Sequence, residues 1–268
     1  MFIYHSINPI AFELGPIAVH WYGIMYLVGF AAVWLLATYR MRKPYWSHWT
    51  KAQVSDIVFY GAIGAILGGR IGYTLVYNLP VFLDQPLIIF KIWQGGMSFH
   101  GGLFGVAVAW YFYSLYIKKS YFAITDFIAP FIPIGLAAGR LGNFINGELW
   151  GRVTTMPWGV VYPSGGPLPR HPSEIYEFLL EGVLLFIILW FYSRKPKPYR
   201  AVTGMFMLCY GIFRSFVELF REPDPQLGFI AWHWLTMGQV LSFIMIILGV
   251  ILLVWGYIDK RKLTCNNT

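Results

Sequence analysis

Long uninterrupted apolar runs, each closed by a short polar stretch, set the rhythm of this chain. Seven of them, at 17–39, 56–77, 97–117, 124–145, 173–192, 201–220 and 237–257, have the length of about 20 residues that a helix needs to cross a bilayer core of roughly 30 Å. The alternating dyads of an outer-membrane barrel are missing, because the runs are continuous and about twice as long as a barrel strand. The pattern therefore predicts an all-α, polytopic membrane protein. One transmembrane helical domain, residues 1–268, accommodates the whole length.

Composition agrees with that reading. Hydrophobic side chains make up 57% of the 268 residues and charged ones 12%, about half the share usual in soluble domains. The first sixteen residues, MFIYHSINPIAFELGP, lack a basic segment and hold two prolines, so the first helix is expected to be retained and not cleaved as a leader. Cys209 and Cys265 are the only cysteines, which excludes a disulfide framework. None of His5, His20, His48, His171 and His233 pairs with another at metal-ligand spacing. No metal and no cofactor are expected.

A net charge of +8 would suggest nucleic acid in a soluble protein, but here position decides. Arg40, Arg42, Lys43 and Lys51 follow the first run, Lys118 and Lys119 the third, Arg194, Lys195, Lys197 and Arg200 the fifth, and Lys260, Arg261 and Lys262 the seventh. The alternate connections hold only Lys91, Arg152, Arg170 and Arg221. By the positive-inside rule this predicts an N-terminus outside and a C-terminus in the cytoplasm. The longest outer connection, 146–172, is rich in Gly and Pro and is expected to form an ordered cap. Glycines at four-residue spacing (Gly64, Gly68 and Gly72; Gly101 and Gly105; Gly135 and Gly139) suit close helix packing.

Three arginines, Arg70, Arg140 and Arg214, lie inside apolar runs, where charge is costly and usually functional. Each stands about 21 Å from the cytoplasmic end of its helix at 1.5 Å per residue, and His100 about 25 Å. Such a cluster needs an anion. Glu218 lies one turn beyond Arg214, and Glu148, Glu174, Glu177 and Glu181 are near the outer surface, yet a lipid phosphate matches the guanidinium fork better. The competing reading is that the arginines only knit helices together through carbonyls and carboxylates. The run GRLGNFINGELWGR, 139–152, places Arg140, Asn143 and Asn146 in an i, i+3, i+6 stripe of donors suited to phosphate and glycerol oxygens, followed by Glu148 and Arg152.

That run resembles the signature of the prolipoprotein diacylglyceryl transferases, and the resemblance extends through HWYGIMYLVGF at 20–30, GGMSFHGGL at 95–103, HPSEIYE at 171–177 and YGIFRSFVELFREPD at 210–224. One departure is Glu174, where the resemblance implies glutamine; Ser173 is expected to cap the helix that starts there. The resemblance implies an enzyme of the bacterial inner membrane, its site opening to the outer leaflet. It would move the diacylglyceryl group of phosphatidylglycerol to the lipobox cysteine of a preprolipoprotein, leaving a thioether and releasing glycerol phosphate. It also implies catalytic roles for His100, Arg140 and Arg214. Tyr22, Tyr210 and Glu218 would support the head group, alongside Asn143, Asn146, Glu148 and Gly151 on the substrate. Such chemistry needs a thiolate, since a free thiol with pKa near 8.5 is mostly protonated, and a stabilised departing phosphate. A transporter of anions or phospholipids is the rival class, but the inner halves of the runs, such as IVFYGAIGAI and AVAWYFYSLYI, are almost wholly apolar. An intramembrane protease would need paired aspartates, HExxH or a Ser and His couple, and none is evident.

Overall fold

The computed structural model describes residues 2–3, 7–15, 17–91, 95–223 and 235–265. His5, His233 and Asp224, named above, lie outside them. Ten α-helices carry most of the described chain: α1 (Trp21–Met41), α2 (Lys51–Tyr77), α3 (Leu79–Asp84), α4 (Phe99–Tyr116), α5 (Tyr121–Ile128), α6 (Ile132–Asn146), α7 (Ser173–Glu177), α8 (Leu185–Tyr192), α9 (Ala201–Val217) and α10 (Met237–Cys265). Among the described residues, four continuous helical stretches are long and apolar enough to cross a membrane: Trp21–Met41, Lys51–Tyr77, Ser173–Tyr192 and Met237–Asp259. A fifth results if α5 and α6 count as one span. These two meet at 55°, where the sequence predicts a single helix. Pro130 and Pro133 remove donors from the ladder and break it there. The helix α9 is a shorter apolar one.

Two small β-elements were not anticipated. The chain enters α1 through a hairpin of β2 (Ile10–Leu14) and β3 (Ile17–His20), so the first apolar run is extended up to His20 and helical only from Trp21. The strand β1 (Phe2–Ile3) pairs in parallel with β4 (Val160–Val161).

The described residues gather into two compact units. One spans Ala37–Ile124 and is built on α2 against α4. Their backbones touch through glycine. A β-carbon on Gly64 would lie 2.8 Å from the Gly105 carbonyl carbon, one on Gly72 2.8 Å from Gly101 Cα, and one on Gly68 would strike the Gly101 carbonyl oxygen. Small residues at this spacing let dispersion act over the whole crossing, the driving force available in lipid. Trp110 Nε1 donates to the Ile57 carbonyl at 2.9 Å, and Tyr113 to Asp56 at 2.9 Å. At the start of α2, Thr50 and Gln53 form a reciprocal capping box.

The other unit spans Met1–Leu36 and Thr125–Thr268. Here α9 packs along α10, and α6 packs on the turns that follow α7. Residues Phe178–Leu184 are wound as a π-helix between α7 and α8, a local widening frequent at functional sites. Gly182 lets that segment approach α6, since a β-carbon there would lie 2.6 Å from Ala137 Cβ. The Asp126 carboxylate takes the backbone N–H of Arg200 at 2.7 Å and of Thr203 at 2.8 Å. It thereby caps the start of α9, the helix that carries Arg214. Gly135 and Gly139, grouped with the packing glycines from their spacing, differ from the rest: a β-carbon at either meets nothing within 4 Å among the described residues.

Candidate active site

Arg140 leaves α6 and Arg214 leaves α9, and both meet carboxylates from the α7 stretch. Arg140 Nε lies 3.0 Å from Glu177 Oε2, and its Nη2 3.7 Å from Glu181 Oε2. Arg214 contacts Glu177 directly, reaches Glu181 Oε1 at 3.8 Å, and pairs with Glu218 at 2.7 Å one turn further along its own chain. Arg221 Nη1 stands 3.7 Å from Glu177. Glu177 is thus shared by three guanidinium groups. Both it and Glu181 are fully buried, and Glu181 has no hydrogen-bond partner for either oxygen among the described residues. Three arginines face three carboxylates, so the chain itself supplies the anions that the sequence reading assigned mainly to lipid.

Glu218 is held from a third side. Thr236 Oγ1 donates to it at 2.8 Å, and Gly238, in the first turn of α10, leaves room for the carboxylate: a β-carbon there would come within 2.6 Å of it. A carboxylate at a helix N-terminus also meets the positive end of the helix dipole.

At the end of α6 the predicted polar stripe is present and closes on Glu148. Asn143 Nδ2 donates to Glu148 Oε1 at 2.9 Å, Asn146 Nδ2 to the same oxygen at 3.3 Å, and Arg140 Nη1 to Asn143 Oδ1 at 3.5 Å. The chain can double back because Gly147 adopts φ 65°, the left-handed cap that ends helices, while Glu148 N returns to the Asn143 carbonyl at 3.1 Å. Tyr22 lies against this helix: a β-carbon on Gly142 would be 2.9 Å from Tyr22 Cδ2. Its hydroxyl is 3.3 Å from that of Tyr26. Tyr210 is buried, stacked on Phe206 with ring centroids 5.8 Å apart and packed with Leu185 and Leu189.

Gly151 sits where three chain segments cross. Its N–H donates to the His171 carbonyl at 2.8 Å, its carbonyl accepts from Arg170 at 3.2 Å, and it bridges to Arg221. A β-carbon there would strike the Phe220 carbonyl, so glycine is required for the crossing itself. Arg170 stacks on Trp150 at 4.0 Å and pairs with Glu222 at 3.1 Å, fastening residues 150–170 to the chain after α9. Burial lowers the His171 pKa; its Nδ1 is 3.0 Å from the Tyr176 hydroxyl. Ser173 does not cap its helix as expected. It lies inside the first turn, and its hydroxyl donates to the Leu149 carbonyl at 2.9 Å. Glu174 is fully buried and accepts from Tyr162 at 2.6 Å.

His100 and Arg70 belong to the other unit. His100 is exposed in the first turn of α4, its ring edge-on to Phe99 at 5.7 Å. Arg70 is buried and bonded to backbone carbonyls. The residues that the sequence reading left out of the site are Glu177, Glu181 and Arg221. Their signal was available in part: Glu177 and Glu181 are four apart in an apolar helix, hence two buried carboxylates on one face.

An all-α fold with several apolar helices of spanning length and a buried arginine–carboxylate cluster defines a class, the multi-pass membrane proteins. Comparison narrows the class. The family model described as prolipoprotein diacylglyceryl transferase matches residues 9–255. A relative from Coxiella burnetii (strain RSA 331 / Henzerling II) is 59% identical over 262 residues, 98% of this chain and 100% of the relative. One from Pseudomonas aeruginosa (strain LESB58) is 56% identical over 257 residues, 96% of each chain. Both are called phosphatidylglycerol–prolipoprotein diacylglyceryl transferase. The chain belongs to the prolipoprotein diacylglyceryl transferase family.

Proposed function

We propose that this chain is a transferase that moves the diacylglyceryl group of phosphatidylglycerol onto the lipobox cysteine of a preprolipoprotein. Family membership supports the reaction, and the Glu177-bridged pair Arg140 and Arg214 is the observation that carries the site. In the reaction the cysteine sulfur forms a bond to the terminal glycerol carbon of the diacylglyceryl group. The bond from that carbon to the phosphate oxygen breaks, the oxygen keeps the electron pair, and the thiol proton passes to a base. The phosphate gains charge as it departs, so bidentate donors fixed beforehand lower the barrier more than they tighten binding. Arg140 and Arg214 take that role. Held apart by Glu177 and Glu181, they need little reorganisation when the head group arrives. Asn143, Asn146 and Glu148 offer donors and an acceptor to its glycerol hydroxyls. Tyr22 lies beside the stripe, Tyr210 packs on Phe206, Leu185 and Leu189, Glu218 orients Arg214, and Gly151 keeps the loop in place. His100 takes the thiol proton.

The proposal includes seven crossings, with α4 and α9 among them, an N-terminus outside, a C-terminus in the cytoplasm and a site opening to the outer leaflet of the bacterial inner membrane, under the Gly/Pro-rich segment 146–172. The basic residues of the alternate connections support that orientation. A transporter reading is less favoured, since Arg140 and Arg214 already have carboxylate partners and the inner halves of the apolar runs hold few polar groups.

The test is to incubate the purified protein with phosphatidylglycerol and a lipobox peptide and to weigh the peptide by mass spectrometry. A diacylglyceryl mass is expected only with the cysteine peptide and this lipid. Equal modification of a serine peptide, or none in active membranes, overturns the assignment.

A further inference from the structure

Within the unit Ala37–Ile124, one guanidinium is saturated. Arg70 Nε donates to the Ile89 carbonyl at 3.1 Å, and Nη2 to those of Ile88 at 2.5 Å and Lys91 at 3.0 Å. Nη1 donates to Gly95 and to Gly96, the latter at 3.1 Å. A guanidinium carries five N–H groups, so these five carbonyls leave none for a phosphate. Gly95 and Gly96 both have positive φ, 76° and 77°, a conformation open to glycine that turns both carbonyls toward Arg70. Two residues on, Ser98 N donates to the Gly69 carbonyl at 2.9 Å, the residue before Arg70, and Ser98 Oγ accepts from Gly101 N at 3.2 Å to cap α4. His100 is the second residue of that helix.

We infer that Arg70 is a positioning residue for His100, pinning the backbone that leads into α4, and not a ligand for the lipid phosphate. The inference rests on the proposed role of His100 only for its consequence in catalysis; the positioning itself is a property of this unit. A lysine at 70 can satisfy at most three carbonyls and lacks the planar fork.

The experiment compares Arg70→Gln, Arg70→Lys and Gly95→Ala with the parent protein in detergent. The last disturbs the same segment while leaving the arginine in place and guards against an Arg70 variant that does not fold. Two readouts are taken: the rate of carbethoxylation of His100 by diethyl pyrocarbonate, followed by peptide mass spectrometry with His48 as internal standard, and KM against kcat for phosphatidylglycerol. The expected result is at least a threefold change in His100 reactivity relative to His48 in all three variants, with kcat reduced tenfold or more and KM within twofold. A tenfold rise in KM with His100 reactivity unchanged makes Arg70 a phosphate ligand and overturns the inference, as does unchanged reactivity in Gly95→Ala with either arginine variant. Changed reactivity with unchanged kcat upholds the positioning and counts instead against His100 as the base.

Discussion

Glu177 governs the electrostatics of the site as much as either arginine it bridges. Removing one partner of a buried ion pair typically costs about 3–5 kcal/mol, because the remaining charge is left uncompensated, and here three guanidinium groups share one carboxylate. Arg140 and Arg214 should therefore respond sharply to substitution. Arg140→Gln and Arg214→Gln are expected to lower turnover by about 10² to 10³ at matched amounts of folded protein, and lysine at either position to recover a minor part. Losses that are small and equal at positions 70, 140 and 214 would make the cluster structural. The proposed base gives a different signature. His100→Gln should lose activity mostly near neutral pH and regain part of it toward pH about 9, where the peptide thiol, with its free pKa near 8.5, ionises unaided. Turnover measured across that range, with lipid binding as control, decides between a base and a positioning group. At this scale the sequence showed the arginines, which stand out against an apolar background. It also showed the local partner, Glu218 one turn beyond Arg214, but not the bridge through Glu177, because Glu177 and Arg214 are 37 positions apart and no local pattern joins them.

The helices divide by how their small residues are used. Spacing alone groups all seven glycines into close-packed faces and is right for the five on α2 and α4, where backbones touch. On α6 the same spacing is open at Gly139, whereas Gly135 is approached by Gly29 of α1, on which a β-carbon would lie 3.2 Å from Gly135 Cα. Gly68→Val should thus be strongly destabilising, since overpacking costs about 1–3 kcal/mol and here the obstacle is backbone. Gly139→Ala should be neutral or stabilising, up to about 1 kcal/mol from helix propensity. Thermal unfolding of the two variants in one detergent is the check, and equal midpoints would contradict the packing described. The break between α5 and α6 teaches a related lesson. Hydropathy reads 124–145 as one crossing, because an apolar count is blind to backbone hydrogen bonding, whereas Pro130 and Pro133 divide it into two helices at 55°.

For the molecule as a whole, orientation is the prediction with most reach. Single cysteines at Asp84 or Gly165 should react with an impermeant reagent from outside intact cells, and one at Lys197 should not; the reverse pattern would contradict the basic-residue bias. That bias, the apolar runs, the three buried arginines and the motif order are all contiguous or compositional signals, and the chain carries them before it folds. They suffice for an all-α membrane protein, for the family, and for the candidate residues His100, Arg140 and Arg214. Tertiary structure alone decided which charges compensate which, that Glu148 closes the Asn143 and Asn146 stripe, and that Arg70 expends every donor on carbonyls while Arg140 and Arg214 face carboxylates. The physical reason is range. Hydropathy and helix propensity act over one element, whereas a guanidinium buried away from water takes whichever acceptors the fold brings within about 3 Å, and those come from segments far along the chain.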